Sequence, residues 1–413
     1  MNFNTRLLHG NSISKNQNRE ILPPVSQVTA FQYESMEELE KVFTHKSMGY
    51  AYSRIGNPTL SAFEQRINEL EGGGGAVCCS SGMSAISTAL LAACKSGDEI
   101  IAGSGLYGGT IDLFHDLEKL GIYTVFLDEL DKDKLGELIN ERTRVIFGEL
   151  ISNPSLKVLD IPEVSRVAHE AGIPLFVDAT TATPYLAKPL SLGADVVIHS
   201  TSKYINGGGN SIGGVIVDGG KFAWDFEKHT ALADFRKYGK KAFIVRLRTD
   251  LWENLGGCMA PANAFLSYIG LDTLGLRMDR ICDNAQKLAE ALNDMEGIEV
   301  NYLGLNSHPY HGYVERELSG RAGGILTFRV GSKEKAFRVI NGLKYALIAS
   351  NIGDIRTLVI HPASTLYIHV SVEEREAAGV YEDTIRVSVG IEDPEDLIKD
   401  FTEAIVAAGN GEE

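Results

Sequence analysis

Positive charge is in short supply in this sequence: 39 lysines and arginines stand against 55 aspartates and glutamates, a net charge of −16 over 413 residues. Such an excess argues against nucleic acid or an anionic membrane as a bulk partner, although a small pocket can still be locally positive. Cysteine is sparse as well. The five (Cys78, Cys79, Cys94, Cys258 and Cys282) have no metal-ligand spacing, so no metal site is expected. The adjacent pair Cys78-Cys79 lies in an apolar stretch, where thiols pack as small hydrophobes, and reduced core thiols are the expectation. No window has the apolar length that crosses a bilayer, and Met1-Asn2-Phe3-Asn4-Thr5-Arg6 lacks the apolar run of a secretory signal. A cytoplasmic location follows as the expectation. Internal repeats and low-complexity tracts are missing, and Gly207-Gly208-Gly209 lacks the lysine and hydroxyl of a P-loop, which leaves a flexible turn. What is present is ordinary globular composition, 44% hydrophobic and 23% charged, at a length that fits a large domain plus a smaller one.

Residues 1–55 are polar and irregular, with Pro23-Pro24 and few periodic runs. Such an arm cannot build its own core, so it is expected to pack on another subunit or on the main domain. From about residue 60 the pattern becomes regular. Leu60 to Leu70 reads as an amphipathic helix stopped by Gly72 to Gly75, Ala76–Cys79 as a short buried strand, and Met83 to Cys94 as a helix. Strands are expected at Glu99–Ala102, Tyr123–Leu127, Val145–Leu150, Leu175–Val177, Val196–Ile198 and Val215–Val217. Short apolar strands alternating with helices predict an α/β fold, with a mostly parallel sheet covered on both faces and ligands beyond the carboxyl ends of its strands. Near Gly256 the rhythm changes. A long helical segment from Ala260 to Met295, breaking near Gly270 to Gly275, leads to strands at Glu299–Tyr302, Leu326–Val330, Leu358–Ile360 and Ile385–Val389, with helices at Lys333–Leu343 and Pro394–Ala408. The division expected is an arm (1–55), a large domain (56–255) and a smaller C-terminal α/β domain (256–413).

Two residues carry the chemistry. Lys203, in His199-Ser200-Thr201-Ser202-Lys203-Tyr204, directly follows an apolar strand, and Asp178 ends another, Pro174-Leu175-Phe176-Val177. An amine and a carboxylate at the ends of neighbouring buried strands are what an aldehyde cofactor with a basic ring nitrogen requires: the amine forms a Schiff base and the carboxylate keeps the ring nitrogen charged. Ser80-Ser81-Gly82-Met83 turns a strand into a helix, so its free amides suit a phosphate, with Ser200 and Ser202 as further donors; alone, Ser81-Gly82 reads as an N-cap and tight turn. Tyr107 follows the Ile100–Ala102 strand and can stack on a flat ring, or be a half-buried packing tyrosine. Tyr52 and Arg54 put a hydroxyl and a guanidinium in an arm with little local core, a functional pair or a surface ion pair. Arg386, amid apolar strand residues, needs an anion, either an α-carboxylate or a buried salt-bridge partner. The basic run Arg236-Lys237-Tyr238-Gly239-Lys240-Lys241 reads as solvated surface.

These segments together resemble the cysteine/methionine-metabolism family of pyridoxal-phosphate enzymes, of the aspartate-aminotransferase fold type. The likeness runs through Tyr-Ser-Arg-x-x-Asn-Pro-Thr at 52–59, Ser-Ser-Gly-Met at 80–83, Leu-Tyr-Gly-Gly-Thr at 106–110 and Ser-Asn-Pro at 152–154. It continues in Val-Asp-Ala-Thr at 177–180, Ser-Thr-Ser-Lys-Tyr at 200–204, His-Pro-Ala-Ser at 361–364 and Arg-Val-Ser-Val-Gly-Ile-Glu at 386–392. The resemblance implies PLP-dependent transferase fold type I and pyridoxal 5'-phosphate carried on Lys203. It implies that Asp178 pairs with the ring nitrogen, that Tyr107 stacks on the ring and assists proton transfer, and that Ser81, Gly82, Met83, Ser200, Ser202 and Thr180 belong to the cofactor site. Tyr52 and Arg54 are implied to reach a neighbour's phosphate site, which makes the active unit a dimer and the assembly a homotetramer. Arg386 is implied to bind the substrate carboxylate, with Asn153 and Asn351 in support.

Asp218-Gly219-Gly220-Lys221-Phe222, Asn351-x-Gly353-Asp354 and Leu276-Arg277-Met278 resemble the O-acetylhomoserine sulfhydrylase branch. The activity implied is γ-replacement on an activated homoserine ester by sulfide or a thiol. The rival is a γ-lyase giving a 2-oxo acid, ammonia and a thiol, but methionine γ-lyases usually carry cysteine two places after the stacking tyrosine, where this chain has Gly109. Three places depart from the sulfhydrylase pattern: Thr365-Leu366-Tyr367 for Thr-Thr-His, Gly208 for a frequent histidine, and Val25-Ser26 for Ile-Tyr. A rival of another class, a non-catalytic nucleotide-binding or scaffold protein, leaves Asp178, Lys203 and Arg386 without a purpose.

Overall fold

The computed structural model describes residues 1–10, 20–44, 46–103 and 105–409. Of the expected arm, residues 11–19 and 45 lie outside the described residues. The rest of it is less irregular than its composition suggests, because two helices form there. Helix α1 (Phe3–His9) buries Leu7 and sets Phe3 edge-on to Tyr185 with ring centroids 5.0 Å apart, so it packs on the main body. Helix α2 (Met36–Phe43) is started by Ser35, whose side chain accepts the Glu38 amide, and by Glu37 and Glu38 at the positive end of the helix dipole, yet it buries no residue of its own.

Helix α3 (Pro58–Glu71) begins two residues before the expected start. The Asn57 side chain caps it, Pro58 takes its first position, and Gly72 ends it at φ 74°, a backbone angle that favours glycine. Strand β1 (Gly75–Cys79) and helix α4 (Gly82–Ala93) follow, then β2 (Glu99–Gly103), helix α5 (Gly108–Lys119), β3 (Tyr123–Leu127), β4 (Thr143–Glu149), β5 (Leu175–Asp178), β6 (Val196–Ser200) and β7 (Gly214–Asp218). They form a seven-stranded sheet in the order β1-β7-β6-β5-β4-β2-β3. Every pairing from β6 through β5, β4 and β2 to β3 is parallel, and β7 alone runs against both its neighbours, β1 and β6. The strands are apolar because both faces are covered: Val77, Ile100, Ile101, Ile146, Phe147, Phe176, Val197 and Ile216 are all fully buried. Parallel direction brings Cys79, Gly103, Glu149, Asp178 and Ser200 to one edge, where α4 and α5 also begin.

The second sheet has five strands in the order β10-β11-β12-β9-β8, from β8 (Glu299–Asn301), β9 (Ile325–Arg329), β10 (Leu347–Ile348), β11 (Leu358–Ile360) and β12 (Thr384–Ser388). Only its β10–β11 pairing is parallel. Helices Lys333–Gly342 and Pro394–Gly409 accompany it, and the long helical segment before it breaks at Thr273 into Pro261–Asp272 and Leu274–Asn293.

Cys78, Cys79, Cys94 and Cys282 are buried, and burial pushes their thiols up, Cys282 to about 12. Cys258 departs from the expectation of a core thiol: it is half-buried. The basic run 236–241 is exposed along the segment Thr230–Lys241. Among the described residues no helix is long and apolar enough to cross a membrane.

Candidate active site

A cavity of about 220 Å³ opens at the strand-end edge of the first sheet. It gathers Ser81, Gly82, Met83, Tyr107, Asn153, Asp178, Thr180, Ser200, Ser202, Lys203, Asn351 and Arg386, so every cofactor and substrate residue named from the sequence lines it except Tyr52 and Arg54.

Each is put there by local structure. Asp178 is the last residue of β5, and its Oδ1 accepts the Thr180 amide at 2.9 Å. Burial raises its carboxyl above the usual range, while the Thr180 bonds and nearby His199 pull it back; a cation bound beside it would favour the ionised form further. Lys203 sits in the loop between β6 and β7. Both ends of that loop lie at the same edge, and Ser202 fastens it across, its hydroxyl donating to the Gly213 carbonyl at 3.2 Å and accepting the Gly213 amide at 3.0 Å. The Lys203 Nζ donates to Asn351 Oδ1 at 2.6 Å. Desolvation and the nearby Arg386 charge lower its pKa, which raises the share of neutral amine, the form that attacks a carbonyl.

At the start of α4 the Ser81 side chain accepts the Ser84 amide at 3.0 Å, and the Gly82 and Met83 amides head the helix. First-turn amides have no intrahelical acceptors and carry the positive end of the dipole, a ready anion site. A Cβ on Gly82 would fall 2.7 Å from the Ser200 Cβ, so only glycine lets α4 begin this close to β6. The Ser200 amide in turn donates to Thr180 Oγ1 at 2.8 Å.

Arg386, on β12, is 3% exposed. Its Nη2 donates to the Asn351 carbonyl at 2.9 Å and its Nη1 to Asn153 Oδ1 at 3.4 Å, while Nε is buried without a partner. Among the described residues no carboxylate pairs with it. The salt-bridge alternative is thereby removed, and a guanidinium whose pKa burial depresses to about 10 faces the cavity with donor capacity to spare.

Tyr107 precedes α5 and is 42% exposed. A Cβ on Gly109 would fall 2.7 Å from the Tyr107 Cε1, so the ring's position depends on that glycine. Tyr52 and Arg54 stand apart from the cavity of their own chain. Arg54 Nη1 donates to the Glu253 carbonyl at 2.6 Å, its guanidinium lies 5.6 Å from the Tyr52 ring centre, and both side chains are exposed.

The sequence reading missed Glu149, which also lines the cavity. A carboxylate closing an apolar strand was the signal that marked Asp178, and Glu149 carries the same signal at the end of β4. Thr181, Ser350, Ile352 and Leu366 line the cavity too. Of the departures noted in the sequence, Leu366 faces the cavity, Tyr367 is buried at 4% exposure, and Gly208 and Val25-Ser26 do not line it.

An amine, a carboxylate, a helix N-terminus flanked by hydroxyls, and a buried guanidinium with an unused donor share one cavity, a donor set that fits pyridoxal 5'-phosphate and an amino acid. No cluster of metal-ligating side chains occurs among the described residues.

A family model described as "Cys/Met metabolism PLP-dependent enzyme" matches residues 4–406. An O-acetyl-L-homoserine sulfhydrylase of Corynebacterium glutamicum is 40% identical over 97% of this chain and 95% of its own. An L-methionine gamma-lyase of Fusobacterium nucleatum subsp. polymorphum is 36% identical over 97% of both chains. The crystal structure of a putative O-acetylhomoserine (thiol)-lyase from Campylobacter jejuni, which carries an N'-pyridoxyl-lysine-5'-monophosphate, superposes with a TM-score of 0.94 at 34% identity, covering 98% of this chain and all of that one.

Proposed function

This chain belongs to the Cys/Met metabolism PLP-dependent enzymes, and we propose that it catalyses γ-replacement on O-acetyl-L-homoserine with sulfide or a thiol, giving homocysteine or methionine plus acetate. Its sulfhydrylase relatives support the reaction, and one structural observation carries the substrate class: a buried arginine, with no carboxylate partner among the described residues, shares a cavity with Lys203 and Asp178.

When bound, pyridoxal 5'-phosphate supplies a carbonyl for the amine and an electron-accepting ring that stabilises negative charge as protons leave the substrate. The side chains do the rest. Arg386 binds the substrate carboxylate through its forked N–H groups, and Asn153 and Asn351 fix the fork's orientation. Lys203, whose amine would carry the cofactor, is placed to take the α-proton on Nζ and to return a proton later. Its bond to Asn351 keeps that nitrogen close to the carboxylate subsite. Asp178 holds the ring nitrogen protonated. Tyr107 stacks on the ring and moves protons at its phenol oxygen. Ser81, Gly82, Met83, Thr180, Ser200 and Ser202 hold the phosphate end. Gly109, where methionine γ-lyases usually carry cysteine, supports replacement over elimination.

The same reading divides the chain into an arm (1–55), a cofactor domain (56–255) and a smaller domain (256–413), assembled as a cytoplasmic homotetramer of two active dimers. In its support, the arm exposes Ile21 at 91%, Met36 at 72% and Met48 at 100%, apolar side chains that a neighbouring subunit would cover.

Incubation with O-acetylhomoserine, with and without sulfide or methanethiol, and product analysis by mass spectrometry test the reaction. Homocysteine or methionine that depends on the added nucleophile is expected. Oxo acid without a sulfur product would transfer the assignment to a lyase. Borohydride reduction followed by peptide mapping is expected to place the cofactor adduct on Lys203 and to find none in Lys203→Ala.

A further inference from the structure

The chemistry just described leaves one cavity-lining carboxyl unused. Glu149 closes β4 directly beside Asp178 at the end of β5, the two being register partners. Its Oε1 accepts the Tyr107 amide at 2.6 Å, and the Asn153 backbone amide, four residues on, lies close enough to the same carboxyl to favour its charged form. These amides belong to separate stretches of backbone. Tyr107 leads into α5, its carbonyl accepting the Thr110 amide at 2.8 Å, whereas Asn153 lies beyond β4 and holds Arg386 through Oδ1. One side chain thus fastens the segment bearing the ring-stacking phenol to the segment that orients the carboxylate-binding guanidinium.

We propose that Glu149 is a positioning residue: it sets Tyr107 against the cofactor ring and Asn153 against Arg386, so that cofactor affinity and amino-acid affinity depend on the same carboxyl. The inference rests on the cofactor reading of the cavity. Burial first, and the Asp178 charge second, push the Glu149 carboxyl up to about 8, so at neutral pH it stays protonated. A neutral carboxyl still accepts amides through its carbonyl oxygen, and it adds no second negative charge at the corner where Asp178 must be ionised. The other titratable groups around it are Tyr107 ahead of α5, Tyr367, which feels both Glu149 and Arg386, and Lys157 across a small neighbouring cavity, where Asp128 takes its ammonium at 3.1 Å.

The test compares wild type with Glu149→Gln, Glu149→Ala and Glu149→Met, the last keeping bulk without an acceptor. Cofactor-free protein is titrated with pyridoxal 5'-phosphate by absorbance, and KM and kcat for O-acetylhomoserine are measured on the loaded enzymes. Loss of the acceptor that holds the Tyr107 amide and sits beside the Asn153 amide is expected to raise both the dissociation constant and KM by about tenfold or more in the Ala and Met variants. Glu149→Gln, which keeps the acceptor and the neutral charge, is expected to restore both to near wild type below pH 8. Met or Ala with either constant unchanged, or Gln as impaired as Ala, overturns the inference. Wild type that takes up no cofactor overturns instead the reading on which it stands.

Discussion

Arg386 illustrates how one buried side chain separates binding from structure. It has one backbone and one side-chain amide oxygen as acceptors, no anion partner among the described residues, and an Nε left over. Arg386→Lys keeps the charge and loses the fork. Charge-assisted hydrogen bonds contribute about 1.5–3 kcal/mol, so KM for the amino acid is expected to rise roughly 10- to 100-fold, with cofactor affinity unchanged; steady-state kinetics beside an absorbance titration would show it. Glu149 gives a pH signature of the opposite kind. Its carboxyl is raised in the folded chain, so between about 4.5 and 8 the native state binds a proton that the unfolded state has released, and stability falls as pH rises through that window. Cofactor-free Glu149→Gln cannot ionise, so its melting temperature is expected to gain on wild type from pH 5 to pH 8. Asp178 was legible because it ends an apolar run at a parallel-strand terminus, and Lys203 because it follows such a run in the loop beyond β6. Glu149 escaped notice because Leu150 follows it and made the expected strand run one residue past the carboxylate. Arg386 was legible as a charge needing an anion, but choosing substrate over salt bridge required the burial and partner geometry.

Between residues and the whole chain, the helix starts decide where ligand groups sit. The α4 start was readable from Ser81-Gly82, and the structure adds why glycine is obligatory there: its missing Cβ is the space that β6 occupies. Gly82→Ala is expected to push α4 away from Ser200, costing about 1–3 kcal/mol of stability as an overpacked contact and weakening cofactor binding more than amino-acid binding. Thermal melts and cofactor titration separate these effects. Helices α1 and α2 were not legible, since segments of 7 and 8 residues carry too few periodic positions to stand out from a polar arm. They depend on neighbours, α1 through the Leu7 carbonyl that Arg66 binds and α2 through its Ser35 cap.

At the scale of the molecule, the alternation of strands and helices specified the larger sheet; the change of rhythm near residue 256 precedes the second, whose first strand starts at Glu299. The reversed strand β7 was not foreseen, because periodicity carries no direction. Nor does one chain account for Tyr52 and Arg54, which point to solvent beside the Glu253 carbonyl. If they complete a neighbour's phosphate site, Arg54→Ala is expected to weaken cofactor binding several-fold although the residue lines no part of its own cavity. Affinity that stays unchanged, or a protein that sediments as a monomer with full activity, would sink the shared-site reading.

The cavity draws its amine, its aspartate and its anion-binding helix end from the seven-stranded sheet, but its Asn351, Leu366 and Arg386 from the other half. The Lys203 loop is closed across its feet by Ser202 and Gly213, and the other half holds it too: Asn351 takes the Lys203 ammonium, and the Ile355 amide donates to the Gly207 carbonyl at 2.9 Å. Reactivity and selectivity therefore meet at Asn351, whose side chain holds Lys203 and whose carbonyl holds Arg386. Drift at Leu366 can redraw which molecules are admitted while the reacting nitrogen stays where it is, whereas a change at Asn351 disturbs amine and anion site together.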